Sequence, residues 1–275
     1  MNRTSFARIF PRNFLHNIWQ PLLLVSGLAA QPATAQTYDP SLPTCSGLFL
    51  DIDCWVGGIP DSSDQARFDS TSAYTVEFSS TDVTTNTALI RNGPVIFDLG
   101  GLTYTLAQPG DLITPGLVVG DTGGGGSASL ELQNGILELG EAVLGQSSTG
   151  NGSLLISTGA ELTSSARVLV GNFGTGDLQI INGGQLTQTN ASISSGLGIN
   201  PNAVGTATIS GTGSIWDSAG AVIVGSNGSG TLTIEAGGTL NSGNGSIGSQ
   251  AGSTGSALIT GTGSSWNNTA SGNAT

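Results

Sequence analysis

Residues 116–275 repeat a short pattern about every 25 residues, and a chain with that period must stack like units on one another. Apolar pairs closed by glycine mark the units: Val118-Val119-Gly120, Val143-Leu144-Gly145, Leu169-Val170-Gly171 and Ile223-Val224-Gly225. The glycines are 25, 26 and 54 residues apart, the last step being two units of 27. A weaker copy, Gly196-Leu197-Gly198, fills the midpoint, and Ile247-Gly248 adds one more. A second segment follows each mark: Leu130/Leu132, Leu154/Ile156, Leu178/Ile180, Ala207/Ile209, Leu232/Ile234 and Ala257/Ile259. Their spacing of two puts both members of a pair on one face of a strand. Turns follow at Asn134-Gly135, Thr158-Gly159, Asn182-Gly183 and Gly237-Gly238, and Leu137, Leu162, Leu186 and Leu240 mark a third strand. A double period is also present, since residues 205–218 (GTATISGTGSIWDS) match residues 255–268 (GSALITGTGSSWNN).

Three short strands per unit, with glycine at the corners, predict an all-β fold. The expected form is a right-handed parallel β-helix, or β-solenoid, of about six coils of roughly 25 residues. A single coil buries too little apolar surface to offset the entropy of ordering itself, so neighbours are obligatory. The 44 glycines fit this reading because they recur between Val, Leu and Ile runs and proline is scarce, unlike a disordered linker. Residues 36–115 have a different texture, richer in proline and aromatics, and are expected to form an N-terminal β-rich capping segment. No capping segment follows the last repeat. An open β edge is a pairing hazard, so the solenoid is expected to continue in a longer parent chain.

The first 35 residues read as a removable signal. Arg3, Arg8 and Arg12 form a basic start, residues 21–30 (PLLLVSGLAA) a short apolar core, and Ala33-Thr34-Ala35 before Gln36 a cleavage site between Ala35 and Gln36. The alternative, a membrane anchor, needs a longer apolar run, so no transmembrane segment is expected in the mature chain. Beyond residue 36 stand 18 acidic residues against Arg67, Arg91 and Arg167, a net charge of −15. Such a chain repels nucleic acid and anionic lipid. Cys45 and Cys54 are expected to form a disulfide, the default in an exported chain, with a free thiol pair as the alternative.

The repeats at residues 225–240 (GSNGSGTLTIEAGGTL) and 261–268 (GTGSSWNN) resemble those of autotransporter (type V secretion) passenger domains and PEP-CTERM-associated surface proteins. Residues 55–60 (WVGGIP), 64–68 (DQARF), 74–76 (YTV) and 97–104 (FDLGGLTY) resemble the segment that often precedes such repeats. The resemblance covers about 220 residues and implies export, a β-helical shaft, and display at or release from the outer cell surface. It does not extend to a translocator barrel or a Pro-Glu-Pro sorting tail.

The sequence contains no lysine, and its one histidine, His16, lies in the signal. A serine or cysteine nucleophile with a histidine base, a lysine Schiff base and a phosphate-binding loop are all excluded, so residues 123–126 (GGGG) read as a turn. His-based zinc sites fail too, and two cysteines cannot close one. No catalytic residue, metal site or cofactor is expected. Paired carboxylates remain open, as glycosidases need only two. Asp51 and Asp53 would alternate on one strand face, with Asp61, Asp64 and Asp69 nearby, but solvated turn residues are the plainer account. A toxin-type calcium repeat is only partly matched at residues 174–180 (GTGDLQI), and once. The Thr206/Thr208 and Thr231/Thr233 pairs of an ice-binding face are broken by Ser129/Glu131 and Asp177/Gln179.

Trp216 and Trp266 lie 50 residues apart, two coils on one side of the shaft. They are candidates for glycan contact by stacking, or else rings covering a thin core. The expected function is a non-catalytic, structural or adhesive surface protein with a glycan or protein partner, against a carbohydrate-active β-helix using outward carboxylates.

Overall fold

The computed structural model describes residues 34–108, 114–121 and 126–269. The proposed signal core, and all but Gly126 of the glycine run at 123–126, lie outside them. The described chain is a β-solenoid of three parallel sheets, each gaining one strand per coil. Coil 1 is Gln65–Phe68, Tyr74–Glu77 and Val83–Thr85; coil 2 is Thr87–Ile90, Gly93–Asp98 and Thr103–Leu106. Coil 3 is Leu117–Val119, Ser127–Gln133 and Gly135–Leu139; coil 4 is Ala142–Leu144, Asn151–Ile156 and Ala160–Ser164. Coil 5 is Val168–Val170, Thr175–Ile181 and Gln185–Gln188; coil 6 is Ser195–Leu197, Val204–Ser210 and Ile215–Ser218. Coil 7 is Val222–Val224, Ser229–Glu235 and Thr239–Ser242; coil 8 is Gly245–Ile247, Thr254–Ile259 and Ser265–Asn268. First strands stack as sheet I, second as sheet II and third as sheet III.

Coils 3 to 8 are the six units read from the repeats. Coils 1 and 2 extend the shaft backwards into the segment set apart as a cap, which is thereby confined to residues 34–64.

Alternation within each strand sends every second side chain inward, and parallel register stacks like on like. Sheet II carries Val76, Phe97, Leu132, Ile156, Ile180, Ile209, Ile234 and Ile259 in one inward column. Sheet III carries Val83, Tyr104, Leu137, Leu162, Leu186, Trp216, Leu240 and Trp266. Away from coil 8 these side chains are buried.

Between sheets I and II the chain turns through glycine. Gly145, Gly171, Gly198 and Gly225 close successive sheet I strands with φ between 61° and 77°, a region open to glycine but costly for other residues. Facing them, Gly152, Gly176, Gly205, Gly230 and Gly255 form a ladder at the start of sheet II. The two glycine rows bring backbone against backbone, and at Gly205 a Cβ atom would stand 2.1 Å from the Val170 carbonyl oxygen.

Sheet III ends differently, in a column of buried polar side chains. Ser164, Gln188, Ser218 and Ser242 follow one another there. Gln188 donates to the Ala166 carbonyl at 2.7 Å; its own Oε1 accepts from Ser218 Oγ at 2.7 Å and from the Gly220 N–H at 3.0 Å. Buried polar atoms without partners are costly, and here each bond also ties one coil to the next.

The cap closes the N-terminal end. Ala35–Tyr38 adds a parallel strand to sheet I beside coil 1, and Trp55–Val56 pairs antiparallel with it. The backbone at Gly47–Phe49 bonds to Glu77 on sheet II. Phe49 and Trp55 descend onto the core, with Phe49 against Phe78 and Tyr104 and Trp55 against Phe68. The expected Cys45–Cys54 disulfide is present, with Cα atoms 4.5 Å apart. The cleavage point read between Ala35 and Gln36 falls inside the Ala35–Tyr38 strand.

All three tyrosines of the chain sit in the cap or coils 1 and 2, which makes them reporters of that end. Burial, then the charges of Asp51 and Glu77, push the Tyr38 phenol up to about 12 from the ordinary 10.0. Burial likewise pushes Tyr74 up, with help from Tyr38, Asp69 and Asp39, and pushes Tyr104 up against the lowering effect of its Thr85 hydrogen bond. A raised phenol favours the folded state only while the phenol stays protonated. That stability is complete below the unfolded value near 10 and is lost as pH rises through the folded values. At pH 11, where free tyrosine is roughly nine-tenths ionised, the native chain is expected to show little phenolate absorbance at 295 nm. The rise should come later, together with loss of near-UV circular dichroism. Ionisation near pH 10 with that dichroism intact would contradict the packing described.

Candidate functional site

The two tryptophans raised as glycan contacts part company. They do share one column, with Leu240 between them. Trp216 is completely buried, standing where the flanking coils place Leu186 and Leu240. Its ring therefore cannot stack on a sugar, and its role in the glycan reading is withdrawn. It belongs to the core because the third-strand column points inward and a Trp there replaces a Leu. Trp266, in coil 8, is half-buried and packs against the core, with Nε1 donating to Ser242 Oγ at 2.9 Å.

The carboxylates read as a possible catalytic group do not lie on one strand face. Asp51 precedes a 3-10 helix, Ile52–Cys54, and accepts from the Asp53 N–H. It also accepts from the Ser46 N–H and Oγ. These bonds, the Ser46 side chain foremost, hold its carboxyl below the usual range. Asp61 accepts from the Ser63 hydroxyl at 2.7 Å and N–H at 2.8 Å, which lower it in the same way. Asp64 accepts from Thr34 Oγ1. Asp69 is bridged by Arg67 at 2.5 Å and Arg91 at 3.6 Å. Arg167 pairs with the buried Glu141 at 2.6 Å, so each described arginine carries a carboxylate partner. Among the described residues no group of three or more His, Cys, Asp and Glu side chains is placed to hold a metal ion.

Outward side chains also stack. On sheet III the column Glu138, Thr163, Thr187, Asp217, Asn241 and Asn267 runs from coil 3 to coil 8. Asn267 donates to Asn241 at 2.9 Å and Asn241 to Asp217, so this column bonds along the shaft. At the sheet I to II corner Asn172 donates to Gln146 at 3.1 Å and Asn200 to Asn172 at 3.0 Å. A shallow groove of about 350 Å³ lies on the outer face of sheet I over Leu169, Gly196, Ile199 and Ile223. A second, of about 340 Å³, lies on sheet III over Thr105, Glu138 and Thr163.

Sequence reasoning missed the one exposed aromatic. Phe173 follows Gly171 in the loop between sheets I and II and is half-exposed, the only aromatic so placed among the described residues. The signal was available: residues 171–176 (GNFGTG) recur as residues 225–230 (GSNGSG), where Asn227 stands in place of Phe173. Comparisons with protein-family models, curated proteins and solved structures found no match to this chain.

Proposed function

We propose that this chain is an exported, non-catalytic shaft that presents its polar faces at or beyond the cell surface, as a structural or adhesive element. The observation that carries the reading is the use made of charge: the arginines are ion-paired, and Asp51, Asp61 and Asp69 are spent on turns and bridges. A hydrolase or lyase needs a free acid and base converging on one bond. Export is supported by the basic-apolar-small pattern of residues 1–35, by the disulfide, and by the resemblance of the repeats to passenger and PEP-CTERM-associated proteins.

Two measurements test this. Incubation with a panel of polysaccharides, assayed for reducing ends and unsaturated products, is expected to give no turnover above buffer; turnover abolished by Asp51→Asn or Asp61→Asn would defeat the non-catalytic reading. Expression in a secreting bacterium, followed by N-terminal sequencing, is expected to give a mature chain starting at Gln36. Retention in the cytoplasm with the first 35 residues intact would defeat export.

A further inference from the structure

The loop of coil 5 from Gly171 to Gly176 and that of coil 7 from Gly225 to Gly230 have the same length and share a backbone bond at their fourth residue. In each, the fourth residue donates to the corner glycine one coil earlier: Gly174 to Gly145 at 3.1 Å, Gly228 to Gly198 at 3.0 Å. The loops differ at the third residue, where coil 7 has Asn227 and coil 5 has Phe173. Phe173 leaves 50% of its surface in water and takes no part in the core cluster.

A second exception adjoins it. The first outward column of sheet II reads Ser127, Asn151, Thr175, Val204, Ser229 and Thr254, so coil 6 alone places an aliphatic side chain there. Val204 is 40% exposed, and its N–H donates to the Gly174 carbonyl at 3.0 Å, which sets its backbone against the residue that follows Phe173. Two neighbouring coils thus replace polar residues with apolar ones at one corner, without any gain in core packing. Breaks in a local pattern that add nothing to folding are the places to look for function.

The surroundings narrow the ligand. Beside this apolar spot sheet II presents Thr175, Asp177 and Thr206, with Thr206 Oγ1 donating to Asp177 and Gln179 donating to Asp177 at 2.7 Å. A half-exposed aromatic side chain in the loop leading into a strand face of hydroxyl and carboxylate groups suits a sugar ring, whose C–H face stacks while its hydroxyls find polar partners. Charge selects among sugars. The chain beyond residue 36 is strongly acidic and its three arginines are ion-paired, so sulfated or uronic acid polymers are repelled.

We propose that the corner formed by Phe173 and Val204 docks a neutral glycan chain. The proposal rests on the non-catalytic reading above and gives it a partner class.

The test measures binding of neutral oligosaccharides (gluco-, manno- and N-acetylglucosamine-based) by titration calorimetry and of their insoluble polymers by co-sedimentation. Phe173→Asn, which restores the residue of coil 7, is expected to weaken binding about tenfold or more with an unchanged melting temperature. Phe173→Trp should retain it. Absence of binding to every neutral glycan, equal binding by Phe173→Asn, or stronger binding to a uronic acid polymer would each overturn the proposal. Cleavage of a bound glycan would instead overturn the non-catalytic reading while leaving the docking corner standing.

Discussion

Gly205→Val is expected to destabilise the shaft by about 3 kcal/mol or more, which lowers the melting temperature by roughly 6–12 °C for a chain of this size. The side chain has nowhere to go. A Cβ at this position would lie 2.1 Å from the Val170 oxygen and 2.4 Å from the Gly198 nitrogen, both backbone atoms of sheet I. Relief would require the two sheets to part at the corner, breaking the stacking of coils 5 and 6 on their neighbours. Gly183→Ala is the matched control. It has φ of 82° but nothing within 4 Å of its Cβ position, so it carries only left-handed strain, about 1 kcal/mol. Thermal unfolding of both variants by circular dichroism decides the matter. A loss in Gly205→Val no larger than that in Gly183→Ala would mean that the two sheets do not press together at this corner.

Trp216→Ala is expected to cost about 3–5 kcal/mol, as the emptied site lies between Leu186 and Leu240 in a core only one side chain deep on each face. Trp216→Phe should cost only roughly 1 kcal/mol. The Nε1 of Trp216 is buried without a hydrogen-bond partner, so losing it removes an unpaired donor and partly offsets the smaller ring. Neither variant is expected to change glycan binding where it remains folded. Loss of binding in a folded Trp216→Phe protein would show that the ring acts outside the core. Urea unfolding measures the first effect and calorimetry the second.

The repeat region was legible because its inward columns are written at fixed spacing. Leu130/Leu132 through Leu232/Ile234 all point into the core, and the Asn134, Thr158 and Asn182 turns all adopt the positive φ that a tight corner requires. Coils 1 and 2 were not legible. Their sheet I strands end in Phe68-Asp69 and Ile90-Arg91, with no glycine mark. Their spacing is irregular, too: Val95 stacks 21 residues beyond Tyr74, and Leu130 a further 35 beyond Val95. Only three-dimensional register shows that Phe97 and Tyr104 continue columns filled elsewhere by Leu and Ile. Of the two readings of the tryptophans, that of rings covering a thin core holds for Trp216: in the polar stretch of residues 211–218 (GTGSIWDS) its place in the strand turns it inward.

The buried polar column on sheet III has a consequence for how the shaft keeps its order. Layers of Leu, Ile and Val are nearly interchangeable, and a stack of interchangeable layers can slip or pair with the wrong neighbour at little cost. Gln188 is not interchangeable. It needs the Ala166 carbonyl below it and Ser218 and Gly220 above, and a shift by one layer would strand its amide in a dry interior. Such a residue acts as an address within the stack, so that coil 5 can recognise coils 4 and 6 among many near-copies during folding.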